Sequence, residues 1–129
     1  MILVDSSVWI DYFNGVGSRV TDLLDTLVDQ AVLLVGDLIL IEVLQGFRED
    51  KDFNTAKKLL QDFLLVELVG AELAVAAAEN YRTLRKKGVT VRKTIDVIIA
   101  TYCIQAQVPL LQTDRDFKTI AEHLPLQII

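Results

Sequence analysis

Cysteine is almost missing from this chain. Cys103 stands alone among 129 residues, so no intrachain disulfide can form, and a reducing, cytoplasmic setting is the expectation. It lies in the apolar stretch IIATYCIQA, which suits a buried structural thiol rather than a nucleophile. Histidine is also single: His123 has no histidine partner, so surface or capping duty is expected of it rather than metal binding. No apolar run approaches the ~20 residues of a membrane span, because Asp37 and Glu42 interrupt the best candidate. The first residues carry neither a basic n-region nor a small-residue cleavage site, so no secretory signal is expected. Positive charge is in deficit too. Thirteen basic residues against 18 acidic ones leave a formal charge of -5, which at first argues against a nucleic-acid partner.

What is present is a core. Hydrophobic residues make up 52% of the chain and the mean hydropathy is +0.39, which favours one packed domain spanning residues 1–129 and excludes disorder. Short apolar runs alternate with amphipathic ones. ILV, AVLLVG, LVELV, PLLQT and the closing LPLQII read as five strands. Between them, SSVWIDYF, SRVTDLLDTLVDQ (capped by Ser18), LILIEVLQ (capped by Asp37), NTAKKLLQDFLL, the Ala-rich AELAVAAAENYRTLRKKG, TIDVIIATYCIQAQ (capped by Thr94) and DRDFKTIAEH read as helices. Such alternation implies an α/β sandwich around a mostly parallel sheet.

Three carboxylates fall where that architecture puts function, at the carboxyl ends of strands, and two more stand in apolar helices. Asp5 ends the first strand; Asp114 and Asp116 follow the fourth. Asp96 opens an apolar helix, and Glu42 sits in LILIEVL, apolar on every side and therefore expected to be buried. Taken singly, each aspartate has a structural explanation as a cap, an Asx turn or a helix-dipole partner. Glu42 has none, and a buried carboxylate needs a counter-charge, a metal or a proton. Were the five to converge, adjacent charges ~4 Å apart would repel by roughly 4 kcal/mol per pair at an effective dielectric of 20. A cation or shared protons would relieve that repulsion, and an all-oxygen ligand set favours Mg²⁺ or Mn²⁺. These five acids equal the whole net charge. The rest of the chain is formally neutral, and RTLRKKGVTVRK, with six basic residues, is either a solvated helix end or a phosphate-facing surface.

ILVDSSVWIDYF, LILIEVLQG, TIDVIIATYC and LLQTDRDF, in that order across the whole chain, resemble the PIN domain and, more closely, the VapC toxin ribonucleases of toxin–antitoxin pairs. The resemblance implies a three-layer α/β/α fold with a five-stranded, mostly parallel sheet, strand one lying beside strand four. It makes Asp5, Glu42, Asp96 and Asp114 the catalytic and metal-binding quartet, with Asp116 as an additional ligand and Ser6 and Thr113 as hydroxyls beside the site. It further implies an RNA substrate, a VapB-like antitoxin and a homodimer. The activity it implies is metal-dependent hydrolysis of RNA phosphodiesters by an activated water.

Two other classes bear comparison. An aspartyl-phosphate enzyme also places Asp after strand one, but the haloacid-dehalogenase pattern wants a second Asp two residues on, where Ser7 stands. A response-regulator receiver wants an Asp after strand three, where LVELVGAE offers Glu67. The remaining alternative is a non-catalytic PIN-like module that binds RNA or protein without cleaving it, and the intact quartet counts against it.

Overall fold

Strand β1 (Ile2–Val4) leads the chain into α1 (Ser6–Phe13) and α2 (Arg19–Gln30) in the computed structural model, which describes residues 1–129. After β2 (Leu33–Gly36) come α3 (Asp37–Leu44) and α4 (Asp50–Gln61); after β3 (Leu64–Val66) come α5 (Ala71–Lys86) and α6 (Thr94–Ala106). β4 (Leu110–Leu111) then feeds α7 (Arg115–His123). The strands lie in the order β3-β2-β1-β4, and every pairing is parallel. Parallel neighbours need crossovers, and the helices that supply them cover the sheet in a three-layer α/β/α arrangement. Helices α5, α6 and α7 pack in series, as do α2, α1, α3 and α4.

The core forms where apolar strands meet apolar helix faces. Leu3, Val4, Leu34, Val35, Leu110 and Leu111 are buried in the strands, and Trp9, Leu24, Ile39, Leu60, Leu84, Ile99 and Phe117 from the helices. Burying one such side chain contributes about 1.5–3 kcal/mol. Trp9 anchors an aromatic group with Phe63 at 5.4 Å between ring centroids and Phe13 at 6.2 Å. Ser18 caps α2 as expected, its Oγ accepting from Thr21 N–H while Ser18 N–H donates to Thr21 Oγ1.

Four strands form, not five. Residues 124–129 make one isolated bridge, Leu110 to Ile128, with Leu110 N–H donating to Gln127 C=O at 2.9 Å and Ile129 N–H to Leu110 C=O at 3.0 Å. Pro125 has no N–H to offer, and Leu126 N–H is taken by a local bond to Leu124 C=O, so pairing does not spread.

Helix α3 also departs from expectation. It is not buried all round: Ile39 and Val43, one turn apart, face the core, whereas Ile41 is 57% exposed and Glu42 is half-buried. An unbroken apolar run carries no period and so hides which face turns inward. The α3 cap position belongs to Gly36, and Asp37, one residue inside, accepts from Leu38 N–H and Leu68 N–H. At α6, Lys93 takes the cap position expected for Thr94, with no side-chain bond.

Candidate active site

The register of β1 against β4 sets the site. Leu3 and Val4 pair with Leu110 and Leu111, and Asp5 N–H extends the ladder to Leu111 C=O at 2.9 Å. Asp5 and the turn from Gln112 to Asp114 therefore leave the sheet side by side at its carboxyl edge.

Each aspartate that ends a strand caps the helix that follows. Asp5 caps α1: its Oδ2 accepts from Ser7 N–H at 3.1 Å and from Ser7 Oγ–H at 2.6 Å. Asp114 caps α7, its Oδ1 accepting from Asp116 N–H at 2.9 Å. The structural explanation is thus true of both, and it fixes their carboxylates at the sheet edge. Burial pushes the Asp5 carboxyl above the usual range, the Ser7 donors pull it back, and the nearby Asp114 charge raises it again.

Asp96, in the first turn of α6, is 5% exposed, and its Oδ2 has no hydrogen-bond partner. Burial, repulsion from Asp5 and weaker repulsion from Asp114 and Asp116 together outweigh the pull of Lys93 and push it up to about 7. One carboxylate oxygen from each of Asp96, Asp114 and Asp116 lies within 4.8 Å of the other two. Asp5 and Glu42 stand outside that triad but are coupled to it, since Asp5 raises both Asp96 and Glu42 by like charge. Glu42 itself is raised chiefly by burial, and its Oε1 accepts from Ser6 Oγ–H at 3.1 Å.

The two hydroxyl residues expected beside the site contribute differently. Ser6 holds Glu42, as its position suggests. Thr113 contributes its backbone N–H, donated at 3.3 Å to Ser7 Oγ, and no side-chain bond. Ser7 ties the ends of β1 and β4 together and orients Asp5, a role the sequence reading missed. Its signal is the Asp-x-Ser spacing at a strand-to-helix junction, where an Asx turn caps the helix. Arg92 belongs to the basic run RTLRKKGVTVRK, but its partner was not foreseen: its Nη2 donates to Asp116 Oδ1 at 3.1 Å and Oδ2 at 3.2 Å in the single ion pair of the structure.

A buried, unpartnered carboxylate oxygen beside two more carboxylates is a costly arrangement without a positive charge. The donor set is oxygen throughout, so these residues fit a hard divalent cation. They do not fit thiol or imidazole chemistry: Cys103 is buried with its thiol pushed up to about 12, and His123 ends α7, where its carbonyl accepts from Lys87 Nζ.

The PIN domain family model matches residues 2–123. Ribonuclease VapC11 of Mycobacterium tuberculosis is 32% identical over 129 residues, a match covering 98% of this chain and 96% of the relative. Among solved structures, VapBC2 from Rickettsia felis bound to a DNA fragment from its promoter aligns at TM-score 0.79 and 16% identity, covering 100% of this chain and 98% of the other. M. tuberculosis VapC20, described as a Sarcin-Ricin loop cleaving toxin, aligns at 0.69 and 15%, covering 98% and 99%. At these identities the two structures show the shared fold.

Proposed function

Because the chain belongs to the PIN domain family, and within it to the VapC ribonucleases, we propose that it is an endoribonuclease and the toxin of a toxin–antitoxin pair. Residues 1–129 act as one domain in this reading. The observation that carries it is the orphaned Asp96 Oδ2, buried beside Asp114 and Asp116 at the edge where Asp5 also emerges.

Asp96, Asp114 and Asp116, with Asp5 and Glu42 beside them, would hold Mg²⁺ or Mn²⁺. Such an ion, when bound, supplies acidification of water and stabilisation of charge on phosphoryl oxygens. The chain's own residues do the rest. Ser7 fixes the Asp5 carboxylate and Ser6 fixes Glu42, so neither needs to reorganise as the reaction proceeds. Glu42, raised by burial and bonded to Ser6 through Oε1, accepts the proton of the attacking water at Oε2. The water oxygen joins phosphorus in line as the bond to O3′ breaks. The products are a 5′-phosphate and a 3′-hydroxyl whose oxygen takes its proton from solvent water, and Glu42 returns its own proton to solvent.

The structural neighbour in complex with its antitoxin supports a VapB-like partner for this chain. A cleft of about 130 Å³ lined by Ile10, Phe13, Val43 and Phe47 opens beside Glu42 and suits the apolar face of a partner helix. An arginine from that partner would neutralise the carboxylates with a fixed, bidentate charge and so block the site. A homodimer is part of the same proposal; exposed Val69, which lines the groove between α5 and α6, supports it, as does exposed Val75 on α5. So is a cytoplasmic location. No helix is long and apolar enough to cross a membrane.

The test is incubation of the purified chain with a structured RNA, with Mg²⁺ or Mn²⁺ and with chelator. Metal-dependent internal cleavage leaving 5′-phosphates is expected. Binding without cleavage under every condition would return the chain to the non-catalytic alternative.

A further inference from the structure

A phosphodiester approaching five carboxylates meets repulsion before it meets any metal, so something at the rim must carry positive charge. Of the 13 basic residues, one forms an ion pair, and it does so with a member of the acidic triad. That residue is Arg92, on the connection between α5 and α6, four positions before Asp96. Asp116 engages Nη2 alone, and the other guanidinium N–H donors make no hydrogen bond. The Arg92 side chain is 68% exposed, against 22% for Asp116. The acid is therefore sheltered while the cation stands open to solvent. Lys93, next in the chain, is close enough for its charge to act on both Glu42 and Asp96.

Resting on the ribonuclease reading, we propose that Arg92, posed by Asp116 and seconded by Lys93, binds a backbone phosphate of the RNA at the rim of the carboxylate site. A guanidinium presents donors in a rigid fork that matches phosphate oxygens, and a carboxylate on one of its edges sets the direction of the rest. Lys93 adds a point charge without that directionality. Arg92 is thus a binding residue with no part in proton transfer.

The probe is a fluorescein-labelled single-stranded RNA, and the readout is anisotropy across a salt series. The full chain carries Asp5→Asn so that the probe survives. Arg92→Gln in that background is expected to weaken binding about tenfold, and to make the slope of log K against log salt shallower by about 0.7. Arg92→Lys keeps the slope and loses part of the affinity. Lys58→Gln, removing an exposed charge on α4, matches the parent. In the active chain, Arg92→Gln raises KM and leaves kcat near wild type. Arg92→Gln with unchanged affinity and slope, whatever its effect on Mn²⁺ binding, reduces Arg92 to a counter-ion and overturns the proposal. The two readings fail separately. A wild-type chain that cleaves RNA while Arg92→Gln binds as tightly as its parent sinks the Arg92 assignment alone. A chain that never cleaves, but whose RNA binding drops with Arg92→Gln, sinks the nuclease reading alone. A chain that binds no RNA sinks both.

Discussion

Ser7 Oγ lies 2.6 Å from Asp5 Oδ2 and accepts the Thr113 N–H at 3.3 Å, so one hydroxyl joins the end of β1 to the turn after β4. The bond fixes an acid that burial would otherwise drive toward its neutral form. Ser7→Ala removes a cause that lowers the Asp5 pKa and leaves the others in place. Its acidic limb in a pH–rate profile should therefore move to higher pH. Cleavage at neutral pH should fall about tenfold or more, since hydrogen bonds to charged groups contribute about 1.5–3 kcal/mol. A Ser7→Ala profile that overlays wild type would remove Ser7 from any positioning role.

Asp96 gives a pH signature in metal-free protein. Its folded pKa of about 7 lies above its ordinary value of 3.8, so the native state holds the proton more tightly than the unfolded chain. On this group's account stability is full below pH 3.8 and is lost as pH rises toward 7. Asp96→Asn should flatten that part of the curve in chelator. Mn²⁺ at 100 times its dissociation constant should stabilise wild type by about 2.7 kcal/mol and the variant by less. Denaturant melts at pH 5 and pH 7.5, with and without Mn²⁺, decide it. Melts of wild type that ignore Mn²⁺ would count against a shared metal site.

A backbone prediction sits one strand away. A Cβ on Gly36 would fall 2.6 Å from Leu68 Cγ, and Leu68 is fully buried. Gly36→Ala should cost about 1–3 kcal/mol of stability through overpacking. Its φ of -75° is ordinary for any residue, so the cost is steric. Thermal melts at neutral pH would check it, and an unchanged midpoint would show that Leu68 can yield.

These residues differ in how far the sequence exposed them. Asp5 and Asp114 were legible because an apolar strand followed at once by an acid defines a sheet edge, and parallel order then puts the edges together. Asp96 was legible for a similar reason, as a charge opening an apolar helix. The Arg92–Asp116 pair spans 24 residues of sequence and depends on how the α5–α6 connection folds back, which no local pattern encodes. The inward face of α3 was hidden by its unbroken apolar run. The fifth strand failed on a single proline and one local hydrogen bond.

Control by a partner has its own outcome. Co-expression with the product of an adjacent upstream reading frame should yield a stable complex that does not cleave RNA. Replacing Phe13 or Phe47, which line the cleft beside Glu42, with a charged residue should loosen that complex and release cleavage. A tight complex that cleaves at the free chain's rate would reject inhibition at the site.

The proposed role of Asp5 in RNA hydrolysis has a direct readout. Cleavage of one RNA by wild type and by Asp5→Asn, side by side in Mg²⁺ or Mn²⁺, tests it most directly. The substitution keeps the shape and removes one charge, about 3 kcal/mol of transition-state stabilisation. A rate lower by on the order of a hundredfold, from a variant whose melt shows it folded, is the expected result. Equal rates from the two proteins would contradict the assignment.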